Sequence, residues 1–235
     1  GASMLSVGLI EGVAESIASL LKTYSGAYSD KLQRRRPFIV GGYFLAAIAK
    51  PIIGIATGWP LVLFARGLDR TGKGVRSAPR DALLSDSVPA DVQGEAFGWH
   101  RLIDTMGAAI GPLFAILFLS VSADNLRPLY FWALVPGVAS VAIAFSVHEV
   151  PGEAKEKSRS KQTWRWRNAS SKFKTYLFAW AIFSVANSSD VFLILKAKST
   201  GVSLSTTILM YCFYNLVYAL SSPYLGRLSD GLKRK

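Results

Sequence analysis

Cysteine is nearly missing from this chain. Its one copy, Cys212, sits inside an apolar run, so no intrachain disulfide can form and the residue reads as a packing group. Histidine is almost as scarce. His100 and His148 are the two present, both near the ends of apolar stretches, where an interface or helix-end role fits them. The sequence has neither a His-Glu-x-x-His nor a Gly-x-Ser-x-Gly pattern, and its Ser, Asp and His residues do not fall together on facing segments. An enzyme is therefore not expected, and neither a metal site nor a cofactor.

Acidic residues are also few, 15 Asp and Glu against 27 Lys and Arg, for a net charge of +12. Such an excess invites a nucleic-acid reading, and its distribution argues against one. The bases gather in three stretches, Lys31 to Arg36, Lys155 to Lys174 and Arg227 to Lys235. The intervening stretches near Gly58, Asp124 and Gly201 hold only Arg127, Lys196 and Lys198. This alternation follows the positive-inside rule and predicts that the three basic loops are cytoplasmic in a multi-pass protein of the cell (plasma or inner) membrane. No nucleic-acid-binding motif accompanies it.

What the chain has in quantity is hydrophobic length. Apolar residues make up 51% of it, and the mean hydropathy is +0.30. Seven spans of about 20 residues or more, each enough for about 30 Å of hydrocarbon, are predicted at 5–25, 37–57, 60–86, 95–120, 128–148, 174–196 and 204–225. Their uniform apolarity, without alternation, excludes a lipid-facing barrel. The fold class is thus an all-α polytopic membrane bundle. Pro51, Pro112, Pro136 and Pro223 should kink or end helices. Within the polar stretch 149–173, Trp164-Arg165-Trp166-Arg167 fits an interfacial anchor. The chain has no initiator-type start and stops inside a basic loop, so a fragment is expected.

One pattern occurs twice. Gly26-Ala27-Tyr28-Ser29-Asp30-Lys31, running into Arg34 and Arg35, returns about two hundred residues later as Gly226-Arg227-Leu228-Ser229-Asp230, running into Arg234. Each copy follows an apolar segment, as in an internally repeated transporter. These loops resemble the Gly-x-Leu-x-Asp-Arg/Lys-x-Gly-Arg/Lys-Arg/Lys signature of the major facilitator superfamily, and the resemblance covers helices two to eight of twelve. Tyr28 replaces the leucine and Gln33 the second glycine; Gly231 stands where a base is usual. Arg66, Gly72 and Gly74 match the family's fourth-helix pattern. Gly98, Gly107, Gly111 and Pro112 match the fifth-helix pattern associated with antiporters, without its trailing glycine pair. The string Arg66 to Asp81 is similar to a prokaryotic branch of the superfamily. The resemblance implies a first bundle at 1–148, a central cytoplasmic loop at 149–173 and the start of a second bundle at 174–235. It also implies that Asp230 approaches the start of the fifth helix around Gly94 to Gly98, with Asp30 equivalent toward an eleventh helix.

Charge inside the spans is the remaining signal. Arg66, Asp69, Arg70, Lys73, Arg76, Arg80 and Asp81 lie within about 140° of one another on a helical wheel, so this stripe should face a watery cavity or paired charges. Glu11, Glu15, Asp104 and Asp190 are the candidate proton-coupling carboxylates, with a permanent structural ion pair as the alternative for each. Arg66, Asp69, Arg70, Lys73 and Arg76 are the candidate substrate and cavity groups. The expected function is secondary active transport of a small solute by alternating access, coupled to protons as antiport or efflux. An anion-recognising uptake symporter or exchanger is the alternative, and a seven-helix receptor the reading of another class. The expected partners are the lipid bilayer, a small-molecule substrate and protons, with a monomer favoured.

Overall fold

The structure, a computed structural model, describes residues 4–121, 127–147, 169–186, 194, 196–197 and 199–232. Its regular elements are α1 (Met4–Leu32), α2 (Arg36–Ile55), α3 (Trp59–Asp86), α4 (Gln93–Val121), α5 (Arg127–Trp132), α6 (Leu134–Ser146), α7 (Ser171–Ala186) and α8 (Leu204–Gly231). No strand occurs among the described residues. Helix is the answer that satisfies every backbone N–H and C=O within one segment when no water is available to do so. His148, Asp190, Arg234 and the Trp164 to Arg167 run lie outside the described residues.

Arg36–Ile55, Gln93–Phe118 and Arg127–Ser146 combine spanning length with an apolar composition. Helices α1, α3 and α8 have the length, at 29, 28 and 28 residues, but dilute it with polar and charged side chains. The predicted span at 128–148 is not one continuous helix. It breaks between α5 and α6 at Ala133, in the turn before Pro136, whose ring displaces the carbonyl four residues back and offers no N–H. Pro51, Pro112 and Pro223 are instead carried inside α2, α4 and α8.

The chain divides into two compact units, Gly1–Val150 with Ile208–Lys235, and Pro151–Thr207. In the first, α3 is packed against both α1 and α2, and α2 also packs against α5 and α6. Contacts between α1 and α3 climb together along both helices, so the two run in the same sense. Ser25 near the end of α1 donates to the Gly74 carbonyl at 3.1 Å. Helix α2 runs the opposite way. Its backbone meets that of α3 at Gly42 and Gly72, where a Cβ on Gly42 would stand 2.6 Å from the Gly72 carbonyl oxygen. Small residues let the helices approach this closely. In the second unit, Ser170 caps α7 by accepting from the Phe173 N–H at 3.2 Å, and Trp180 lies between Tyr176 and Phe183, with ring centroids 6.4 and 5.8 Å away.

The turn after α1 explains a departure noted in the sequence. Gln33 occupies the position where the signature has its second glycine, and its φ is 53°, the left-handed region. Its side-chain Nε2 donates to the Asp30 carbonyl at 2.7 Å, satisfying a helix-end acceptor that would otherwise face outward. A left-handed residue at a helix end favours glycine by about 1 kcal/mol. Gln33→Gly is therefore expected to be neutral or stabilising by up to about 1 kcal/mol, because relief of the backbone exceeds loss of an exposed hydrogen bond. Gln33→Val, β-branched at positive φ, is expected to destabilise by more than 1 kcal/mol or so. Thermal unfolding of the purified protein in detergent compares the two; a lower melting temperature for the glycine variant contradicts the assignment.

Candidate functional site

The charged stripe of α3 does meet paired charges. Glu11 and Glu15, one turn apart on α1, face it. Glu11 bonds closely with Arg66 and lies 3.8 Å from Arg70. Glu15 lies 3.4 Å from Arg70 Nε and 3.4 Å from Lys73 Nζ. Nearer the Asp30 end, Lys22 reaches Asp81 at 3.5 Å, and Arg80 pairs with the same carboxylate at 3.1 Å. From α2, Lys50 donates to Asp69 at 3.0 Å, and Arg70 lies 4.0 Å from Asp69. The result is a ladder of ion pairs across three helices.

Its rungs differ in exposure. The side chains of Glu11 and Asp69 are each 14% exposed, whereas Glu15 is 55% exposed. Arg76 has no carboxylate within ion-pair distance among the described residues. Its guanidinium lies over the Tyr43 ring, 4.7 Å from the centroid, and donates to the Gly42 carbonyl at 3.3 Å. Asp104, on α4, is exposed and forms no ion pair among the described residues. No group of three or more potential metal ligands occurs among the described residues.

A second constellation joins α8 to α4. The Asp230 carboxylate accepts from the backbone N–H of Gly94 and of Glu95, both at 2.8 Å. Those donors belong to the first turn of α4, where backbone N–H groups lack helical partners and the dipole favours an anion. Arg227 adds an ion pair with Glu95 at 2.5 Å. The approach needs glycine on both sides. A Cβ on Gly94 would lie 2.5 Å from the Gly226 carbonyl oxygen, and one on Gly98 2.7 Å from Pro223 Cα. Asp230 thus stands where the resemblance put it. Asp30, the equivalent of the first copy, is half exposed and pairs with Arg35 at 3.7 Å, and Arg35 also holds Asp86. Gly26 packs toward Ala78, while Lys31 and Arg34 are exposed. A Cβ on Gly107 or Gly111 would meet no neighbour within 4 Å among the described residues, and Pro112 lies one residue on from Gly111, inside α4.

Lys50, Glu95 and Tyr43 are site residues that sequence reasoning passed over. Lys50 carried the clearest signal, as a lone base in an otherwise apolar span. Cys212, read as a packing group, is buried and donates to the Ala109 carbonyl at 3.3 Å; Asn215, also on α8, spends its amide on the Tyr211 carbonyl of its own helix at 2.8 Å.

Removing Glu11 strands two guanidiniums. Glu11→Gln is expected to cost about 3 kcal/mol, the lower end for breaking a buried pair because Arg66 remains a third exposed. Glu15→Gln, at a half-exposed rung, is expected to cost under about 1 kcal/mol. Thermal unfolding of both variants decides it, and equal losses would show that exposure does not grade the ladder.

The profile of the Major Facilitator Superfamily matches residues 1–235. An uncharacterized MFS-type transporter of Methanocaldococcus jannaschii is 33% identical over 100% of this chain and 60% of its own length. An uncharacterized protein of Mycobacterium tuberculosis is 32% identical over 61% of this chain and 35% of its own. Monosaccharide-sensing protein 3 of Arabidopsis thaliana is 31% identical over 60% and 18%. The chain thus spans three-fifths or less of the length of these relatives. No solved structure matches. The family match runs from the first residue to the last, over an all-helical fold that repeats one loop signature, and this chain belongs to the Major Facilitator Superfamily, a family of membrane transporters.

Proposed function

We propose that the whole protein is a secondary active transporter that moves a small solute across the cell membrane by alternating access. The observation that carries this reading is the Asp230 carboxylate seated on the first turn of α4. Such a contact fixes the basic, cytoplasmic ends of two helices against each other while the solute path is closed on that side. At this end it is held by a few charge-assisted hydrogen bonds, so it can open in each cycle. On this reading Asp30 has the equivalent role toward the eleventh helix that the family implies.

Proton coupling as antiport or efflux is the mode we favour. Glu11, Glu15, Asp104 and Asp190 are the candidate carriers, and a proton on Glu11 or Glu15 frees bases that the carboxylate otherwise holds. The α4 pattern of Gly98, Gly107, Gly111 and Pro112 supports the antiport mode. A second reading, uptake or exchange of an anionic solute, is favoured by the charge balance. On the described parts of α1, α2 and α3, the ladder gathers Lys22, Lys50, Arg66, Arg70, Lys73 and Arg80 against Glu11, Glu15, Asp69 and Asp81.

The latch is tested on the whole protein, stripped of its native cysteines, with a cysteine introduced by Ser77→Cys, on α3 one turn beyond Lys73, and labelled by an impermeant maleimide from the cytoplasmic side. Asp230→Asn removes the charge and weakens one of two hydrogen bonds, a loss of about 1–2 kcal/mol. Labelling is expected to rise roughly five- to thirtyfold, and Asp30→Asn is expected to act in the same direction. Unchanged labelling in both variants contradicts the latch. Solute flux in proteoliposomes tests transport itself, and its absence under every ion gradient favours a receptor.

A further inference from the structure

Arg70 occupies an unusual position in the ladder. Its side chain is 21% exposed and lies 3.4, 3.8 and 4.0 Å from Glu15, Glu11 and Asp69. Among the described residues it makes no hydrogen bond to any of them, and its buried Nε has no hydrogen-bond partner. The reason lies in the neighbours. Arg66 bonds Glu11 Oε1, Lys50 bonds Asp69 Oδ1 at 3.0 Å and Lys73 bonds Glu15 Oε1 at 3.4 Å, while Arg70 faces the second oxygen of each. Each carboxylate is drawn toward another base through one oxygen and holds its second oxygen 3.4 to 4.0 Å from Arg70. Arg70 is left with charge compensation but without hydrogen bonds, and a guanidinium offers five N–H donors in a planar fork.

The local charge count points the same way. Lys50, Arg66, Arg70 and Lys73 face Glu11, Glu15 and Asp69, which leaves one positive charge among them. That is the charge a single oxyanion would neutralise. We propose that Arg70 is the receptor for an oxyanion of the transported solute, a carboxylate or phosphate-class group seated on its guanidinium with Lys73 as second cation, and that Glu15 yields to it. Glu11 and Asp69 are shut in at 14% exposure and cannot leave, whereas Glu15, at 55%, can swing away. Glu15 is therefore a competitor that holds the site in the absence of solute. A planar two-oxygen group matches the fork better than any single-point acceptor. The inference rests on the transporter reading for its solute and on the ladder geometry for its site.

Calorimetric titration of the whole protein in detergent with acetate, benzoate and inorganic phosphate, and with neutral benzamide as control, tests it. At least one of the anions is expected to bind, and benzoate, if it is that one, more than tenfold tighter than benzamide. Arg70→Gln is expected to weaken the bound anion at least tenfold, with partial recovery in Arg70→Lys. Glu15→Gln removes the competitor and is expected to tighten the anion severalfold. If Arg70→Gln does not fold, Glu15→Gln decides alone, and unchanged or weaker anion binding in it overturns the proposal. So does the absence of anion binding in both the wild type and Glu15→Gln. Flux measured in parallel separates the two readings. Anion binding without flux under any gradient sinks transport and leaves the site standing. Flux of neutral or cationic solutes without anion binding sinks the site and leaves transport.

Discussion

An ionised side chain at bilayer depth costs several kcal/mol unless it is paired or reaches water, and α3 carries seven charged side chains on one face. That cost dictates the arrangement around it. Glu11 and Glu15 turn α1 toward the stripe, Lys50 turns α2 toward Asp69, and the apolar faces of all three helices are left for lipid or for other helices. Among the helices that cross by composition, the most apolar window of α2 is 28% buried and that of Arg127–Ser146 6%. Such low burial costs little in a bilayer, because hydrocarbon solvates Leu, Ile and Phe as well as a protein core does.

Pairing of this kind is a registry device more than a source of stability. A buried ion pair recovers little beyond its own desolvation, but a slip of one helical turn would leave several charges unpaired at once. Close backbone contacts add a steric register at Gly42 and Gly72 between α2 and α3, and at Gly94 and Gly226 between α4 and α8. The two devices differ in strength. Ladder contacts are numerous and partly buried, so they hold one rigid group. The α4–α8 contact ends in the charge-assisted bonds of Asp230 and Arg227 at a polar helix end, which suits a joint that opens there.

Much of this was legible beforehand because its physics is local or periodic. Spanning length, the charged stripe of α3 and the i, i+4 pair Glu11–Glu15 are fixed by the helical repeat, and the break ahead of Pro136 by a missing N–H. The residue at the second-glycine position could be named as a departure, but its left-handed backbone and its bond to the Asp30 carbonyl could not.

What the chain alone determined is the fold class and which faces of its helices must avoid lipid, since burial costs depend on residue type and helical period. Which base takes which carboxylate was decided by the tertiary structure. Helix direction and depth bring Lys50 to Asp69 and Arg66 to Glu11, and leave Arg70 among three acids without a hydrogen bond. No spacing rule carries that information, because an ion pair between helices depends on distances of a few ångströms set by the packing of all three.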